Sequence, residues 1–93
     1  MTVTRHLLIT GRVQGVGFRF YMQRKARELG INGWVRNRRD GTVEALVQGD
    51  EASVQHILEW CRHGPAASSV TELGTREVDA DSALLTFEVR PTE

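Results

Sequence analysis

From Arg5 to Val13 the chain alternates. Leu7, Ile9, Gly11 and Val13 fall on one side, and His6, Leu8, Thr10 and Arg12 on the other. A period of two with one side more apolar is the signature of a strand with a covered face. Gly15 and Gly17 end it. From Phe18 the period lengthens: Phe18, Met22, Ala26 and Leu29 recur at helical spacing, flanked by Tyr21 and Lys25. Gly30 is the expected C-terminal cap of this helix. The stretch "GWVRNRRDGTVEALVQG" then reads as two strands about a turn at Asp40-Gly41. Side-chain parity sets the length of that turn. A two-residue turn pairs Val35 with Leu46 and puts Val35 on the face opposite Val43, Ala45 and Val47. A three-residue turn of Arg39, Asp40 and Gly41 pairs Asn37 with Val43 and Val35 with Ala45, and needs a left-handed third residue, where Gly41 stands.

Asp50 is placed to cap a second helix, with Glu51 favourable to its dipole. Val54, Ile57, Leu58 and Cys61 form the stripe this helix buries, and Gly64-Pro65 stops it. "AASS" is a short linker, residues 70 to 78 a weakly patterned strand, and Leu85, Phe87 and Val89 alternate in a last one. The order β-α-β-β-α-β, with right-handed crossovers, predicts a split β-α-β sandwich of the α+β class: an antiparallel sheet carrying both helices on one face. Strands 1 and 2 then run parallel with strand 3 between them. The loop after strand 1, the start of helix 1 and Asn37 are expected to converge at one edge.

Composition narrows the setting. Ninety-three residues make room for one core, so residues 1–93 are expected to form a single domain. Its short polar ends fit a complete protein. Twelve Lys and Arg balance twelve Asp and Glu, which gives no electrostatic reason to expect nucleic acid or an acidic membrane as partner. Cys61 is the only cysteine, so the fold stands without a disulfide, as suits a reducing, cytoplasmic setting. His6, His56 and His63 are scattered surface residues at no zinc-like spacing, so no metal is expected. No apolar run reaches signal-peptide or transmembrane length.

The chemistry concentrates in "GRVQGVGFRF", residues 11 to 20. A strand, a glycine-bearing loop and a helix follow one another here. Loop amides turned inward, backed by a helix N-terminus, make a nest for an anion. Arg19 sits in the first helical turn, where the macrodipole disfavours a cation by about 0.3–1 kcal/mol. A bound phosphate reverses that and makes Arg19 a two-pronged clamp. The competing account is a mobile turn followed by a solvated arginine. The segment lacks the Gly-Lys-Ser/Thr of a nucleotide-binding P-loop and does not match the dinucleotide fingerprint.

"GRVQGVGFR" followed by "LGINGWVRNRRDGTVEALVQG" closely resembles the acylphosphatase family. The resemblance is strong from about residue 7 to 49 and weaker through "HGPAASSV" to "FEV". It implies a ferredoxin-like sandwich and an enzyme that hydrolyses the mixed anhydride of a carboxylic or carbamic acid with phosphate. It further implies that Gln14, Gly15, Val16, Gly17, Phe18 and Arg19 form the phosphate loop. Arg19 would bind the phosphate and Asn37 would position water, without cofactor or metal. The expected partners are a small acyl phosphate and, as competitors, inorganic phosphate or sulfate; the chain is expected to act as a monomer. Such a substrate is already activated, so charge neutralisation and an in-line water suffice. Asn37 has an acceptor and a donor but no useful pKa, so it holds water without being a general base.

Blander uses stand beside these. An asparagine near a hairpin also starts turns. Arg36, Arg38 and Arg39 either steer anions or form a solvated strand edge. Cys61, Trp34 and Trp60 read as packing. A binding module of the RNA-recognition type needs exposed aromatics on the central strands. Here those positions hold His6, Leu8, Thr10, Glu44, Leu46 and Gln48. A non-catalytic phosphate sensor or an accessory domain of carbamoyl-phosphate processing is the remaining alternative; Arg19 and Asn37 together separate enzyme from sensor.

Overall fold

A computed structural model describes residues 1–93. The chain forms β1 (Thr2–Arg12), α1 (Phe18–Glu28), β2 (Asn32–Asn37), β3 (Val43–Asp50), α2 (Glu51–His63), β4 (Ser69–Glu77) and β5 (Phe87–Val89). The sheet order is β4-β1-β3-β2-β5. β1 and β3 are its antiparallel centre, and β1 and β2 run the same way on either side of β3. The α+β sandwich expected from the pattern is therefore present, with one correction. β5 adds to the outer edge of β2 in parallel, so the sheet is mixed rather than wholly antiparallel.

Both helices bury their stripes on the face that carries Leu7, Ile9, Val35, Val43, Ala45 and Val47. Phe18, Met22 and Ala26 of α1 and Val54, Ile57, Leu58 and Cys61 of α2 point inward, as their spacing predicts. α1 lies over β2 and β5, and α2 over β1, β3 and β4. The end of α1 is tied off by two backbone bonds, Ile31 N–H to the Ala26 carbonyl at 2.9 Å and Gly30 N–H to that of Arg27 at 3.2 Å. This pairing satisfies carbonyls that would otherwise be left without donors.

The hairpin has the predicted register. Asn37 pairs with Val43 and Val35 with Ala45. Arg38 and Thr42 close the turn through a 2.8 Å backbone bond, and Gly41 has φ 95°. Asp40 accepts hydrogen bonds from both the N–H and the hydroxyl of Thr42, at 3.0 and 2.7 Å.

Three local expectations fail. Asp50 stands at the N-terminus of α2 but its side chain caps nothing. It lies instead 3.6 Å from the amino group of Met1. The alternation of Leu85, Phe87 and Val89 does not describe burial: Phe87 is fully buried, while Leu85 and Val89 are exposed and Leu84 is covered instead. The cause is that residues 78–86 cross the uncovered face of the sheet before β5 begins. Gln48 holds the backbone of Asp81 there, and Asn32 donates to the Leu84 carbonyl. His6, expected at the surface, is half-buried against Glu44.

Candidate active site

The loop after β1 and the β2–β3 hairpin meet at one end of the sheet, and a single side chain joins them. The Gln14 amide donates to the Arg38 carbonyl at 2.7 Å and to the Thr42 carbonyl at 2.9 Å. Those carbonyls flank the turn just beyond Asn37. The loop therefore cannot shift without dragging the end of β2. Nothing in the sequence pattern foretold this contact: glutamine has no periodic signature, and the bond spans twenty-four residues.

Gly15 and Gly17 have φ of 73° and 81°. These are left-handed values that other residues adopt at a cost, so the two glycines let the chain curl before the helix starts. Gly17 is the N-cap of α1, and no side chain caps that terminus. The first helical bond runs from the Tyr21 N–H to the Gly17 carbonyl at 3.0 Å. The N–H groups of Phe18, Arg19 and Phe20 have no carbonyl partner within the helix, and the macrodipole adds partial positive charge where they emerge. No acidic residue occupies the first turn. Phe18 is buried and anchors the loop to the core, edge-on to Trp60 with ring centroids 5.3 Å apart.

Arg19 is half-buried and joins no ion pair, whereas Arg36 and Arg38 are both committed to the carboxylate of Glu44, at 2.7 and 3.1 Å. Arg36 also pairs with Glu93 at 2.6 Å. The basic run 36–39 is thus largely internally neutralised; only Arg39 remains an unpaired exposed cation. Asn37 shares the parity of Val35, so its side chain rises from the helix-facing side of the sheet. Its Oδ1 is buried and has no hydrogen-bond partner. Its backbone carbonyl, by contrast, accepts from the Glu93 N–H at 3.1 Å.

Behind the hairpin, on the uncovered face, Glu44 is the hub of a network with His6, Arg36 and Arg38. Burial alone would raise its pKa. Hydrogen bonds from His6 and Arg36, with the charge of Arg36, more than offset that, and the carboxyl is held below its ordinary range. Trp34 lies between two guanidiniums, with Arg36 4.7 Å and Arg90 5.1 Å from its ring centre. Cys61 is fully buried, its thiol pushed well up by desolvation, with Sγ 3.8 Å from Met22 Sδ. No three His, Cys, Asp or Glu side chains gather in a metal-holding cluster. No helix is long and apolar enough to cross a membrane.

Comparison with known proteins supplies the family. The acylphosphatase family model matches residues 5–89. An acylphosphatase from Acidiphilium cryptum is 54% identical over 71 residues, covering 76% of this chain and 78% of that one. One from Syntrophobacter fumaroxidans is 50% identical over 84 residues, 90% of this chain and 87% of that one. Among solved structures, acylphosphatase from Bacillus subtilis superposes with a TM-score of 0.90 at 36% identity, covering 97% of this chain and 99% of that one. The same fold is found within the much larger HypF, at a TM-score of 0.90 and 26% identity. There the match covers 99% of this chain but 12% of that one.

Proposed function

The chain belongs to the acylphosphatase family, and from that premise we propose that it hydrolyses small acyl phosphates to a carboxylate and inorganic phosphate. The observation that carries this most directly is the buried, unpartnered Oδ1 of Asn37 at the mouth of a loop with unpartnered helix amides and an unpaired Arg19. Buried without a partner, that oxygen carries an uncompensated desolvation cost in the free protein.

In this reading the phosphoryl oxygens sit against the loop from Gln14 to Arg19. The amides and the Arg19 guanidinium neutralise the charge that grows on them in the transition state. Asn37 Oδ1 accepts a hydrogen bond from a water and aims its oxygen at phosphorus. The P–O bond to water forms as the P–O bond to the acyl oxygen breaks, and the carboxylate leaves with the electron pair. The water's proton goes to a phosphoryl oxygen, since no titratable side chain is needed to take it. The positive charge comes from the protein itself, so the reading requires no metal. Loop, Arg19 and Asn37 come from one chain, which supports a monomer, and the single buried thiol suits a reducing cytoplasm. Inorganic phosphate and sulfate present the same oxygens and compete.

The test is turnover of benzoyl phosphate and acetyl phosphate by the wild type and Arg19→Gln. The variant is expected to lose measurable hydrolysis and to bind inorganic phosphate weakly, because truncating the charged partner of a bound anion costs about 2–5 kcal/mol. Near-normal turnover would move the site elsewhere. A phosphate sensor would use the loop and Arg19 in the same way but would have no use for a water-holding Asn37.

A further inference from the structure

A hollow of about 580 Å³ opens beside the phosphate loop, between the outer side of α1 and the segment that leaves α2. That volume is typical of small-molecule pockets, roughly 300–1,000 Å³. Val16, Tyr21, Arg24, Trp60, Pro65 and Ala66 are among the residues that line it. Neither Arg19 nor Asn37 does, so the hollow is not the seat of the anion. Val16 alone belongs both to the hollow and to the loop. We propose that this hollow receives the acyl portion of the substrate and favours apolar, ring-bearing acyl groups. The inference rests on the reading of the loop as the phosphate seat.

In-line displacement fixes the direction. Attacking water and departing acyl oxygen lie on opposite sides of phosphorus. Asn37 approaches the loop from the sheet, its side chain rising from the end of β2. The leaving group then departs towards the helix layer, where the hollow lies. The walls suit such a group. Tyr21 is 45% exposed, so the core does not explain its place. Its ring lies against the loop, with Cε2 3.1 Å from where a Cβ on Gly17 would stand. Trp60 is held edge-on by Phe18, which in turn packs closely on Gly64. The Tyr21 and Trp60 rings with Val16, Pro65 and Ala66 give the hollow an apolar wall. At its rim Arg24 joins no ion pair, while Lys25 is 3.8 Å from Glu28.

The test compares benzoyl phosphate with acetyl phosphate in wild type, Tyr21→Ala and Ala66→Arg. Tyr21 is half exposed and Ala66 lies on an exposed turn, so both variants are expected to fold, checked by their thermal melts. Each should lower the benzoyl-to-acetyl ratio of kcat/KM by about tenfold, the scale of one apolar subsite. Inhibition by inorganic phosphate should stay within about twofold, since the anion seat is untouched. An unchanged ratio in both variants overturns the proposal, as does an equal loss on both substrates. If Arg19→Gln kept its turnover, the underlying reading of the loop would fall instead, and the two failures are told apart by that variant.

Discussion

An amide oxygen buried without a partner is a defect unless something else completes it. Asn37 Oδ1 is in that position, and such a group costs about 1–3 kcal/mol in the free protein. Replacing it by alanine removes the cost with the function. We predict that Asn37→Ala lowers turnover by about two orders of magnitude. Inorganic phosphate should bind nearly as before, and the melting temperature should hold or rise. A weaker phosphate affinity with turnover intact would contradict the assigned role. In the proposed mechanism Gln14 would be a positioning residue of another kind. Gln14→Leu keeps the loop amides but abandons the Arg38 and Thr42 carbonyls. We expect a fall in kcat of about ten- to hundredfold, as for a misplaced reacting group, with the phosphate inhibition constant much less changed. Equal effects on both would mean the tie merely stabilises the fold. As site candidates, Arg19 stood out as a cation in the first turn of a helix, whereas Asn37 was legible only through the family's motif, because an asparagine near a hairpin has innocent uses everywhere. The Glu44 hub and the Gln14 tie were not legible at all: each joins residues from separate elements, and a pattern along the chain carries no such information.

At the level of elements, both helices could be read from their stripes, and the β2–β3 register from the parity of Val35 against Val43 and Ala45. What failed was the end of the chain. Periodicity reports burial only where an element lies flat on a core. Residues 78–86 instead cross the open face of the sheet, which put Leu84 inside and Leu85 outside. Strand β5 has only three residues; it is held by backbone bonds between Gly33 and Thr86 and between Arg90 and Val35 and by burial of Phe87, the last worth about 2–3 kcal/mol. Where β2 and β3 pass each other the backbones leave no space. A Cβ on Gly33 would fall 1.8 Å from the Leu46 carbonyl oxygen, at φ 146°. Backbone, unlike a side chain, cannot swing aside. Gly33→Ala is therefore expected to destabilise the protein by several times the roughly 1 kcal/mol of an ordinary glycine substitution. Chemical denaturation measures it; a loss under about 1 kcal/mol would show that the strands can part at that point.

For the whole molecule, the network around Glu44 contributes to stability in acid. The folded pKa of Glu44 lies below its ordinary 4.5, so the unfolded chain binds the proton more readily. Its contribution is complete above about pH 4.5 and is lost as pH falls through the lower folded value. Glu44→Gln should accordingly melt lower at neutral pH and show a shallower decline on acidification, followed by thermal melts from pH 7 to 3. An unaltered slope would place the acid-sensitive group elsewhere. The parallel pairing of β5 on β2 is short. The sheet's centre is bonded on both sides by long strands, whereas β2 is an interior strand only while the last residues of the chain, from Thr86 to Glu93, stay beside it. Brief detachment of that flank bares the Gly33 N–H, which donates to the Thr86 carbonyl at 2.9 Å. In native-state hydrogen–deuterium exchange this amide should trade its proton well before those shared by β1 and β3, through sub-global opening rather than complete unfolding. The strand that ends in Asn37 would then be the one whose anchorage is renewed most often.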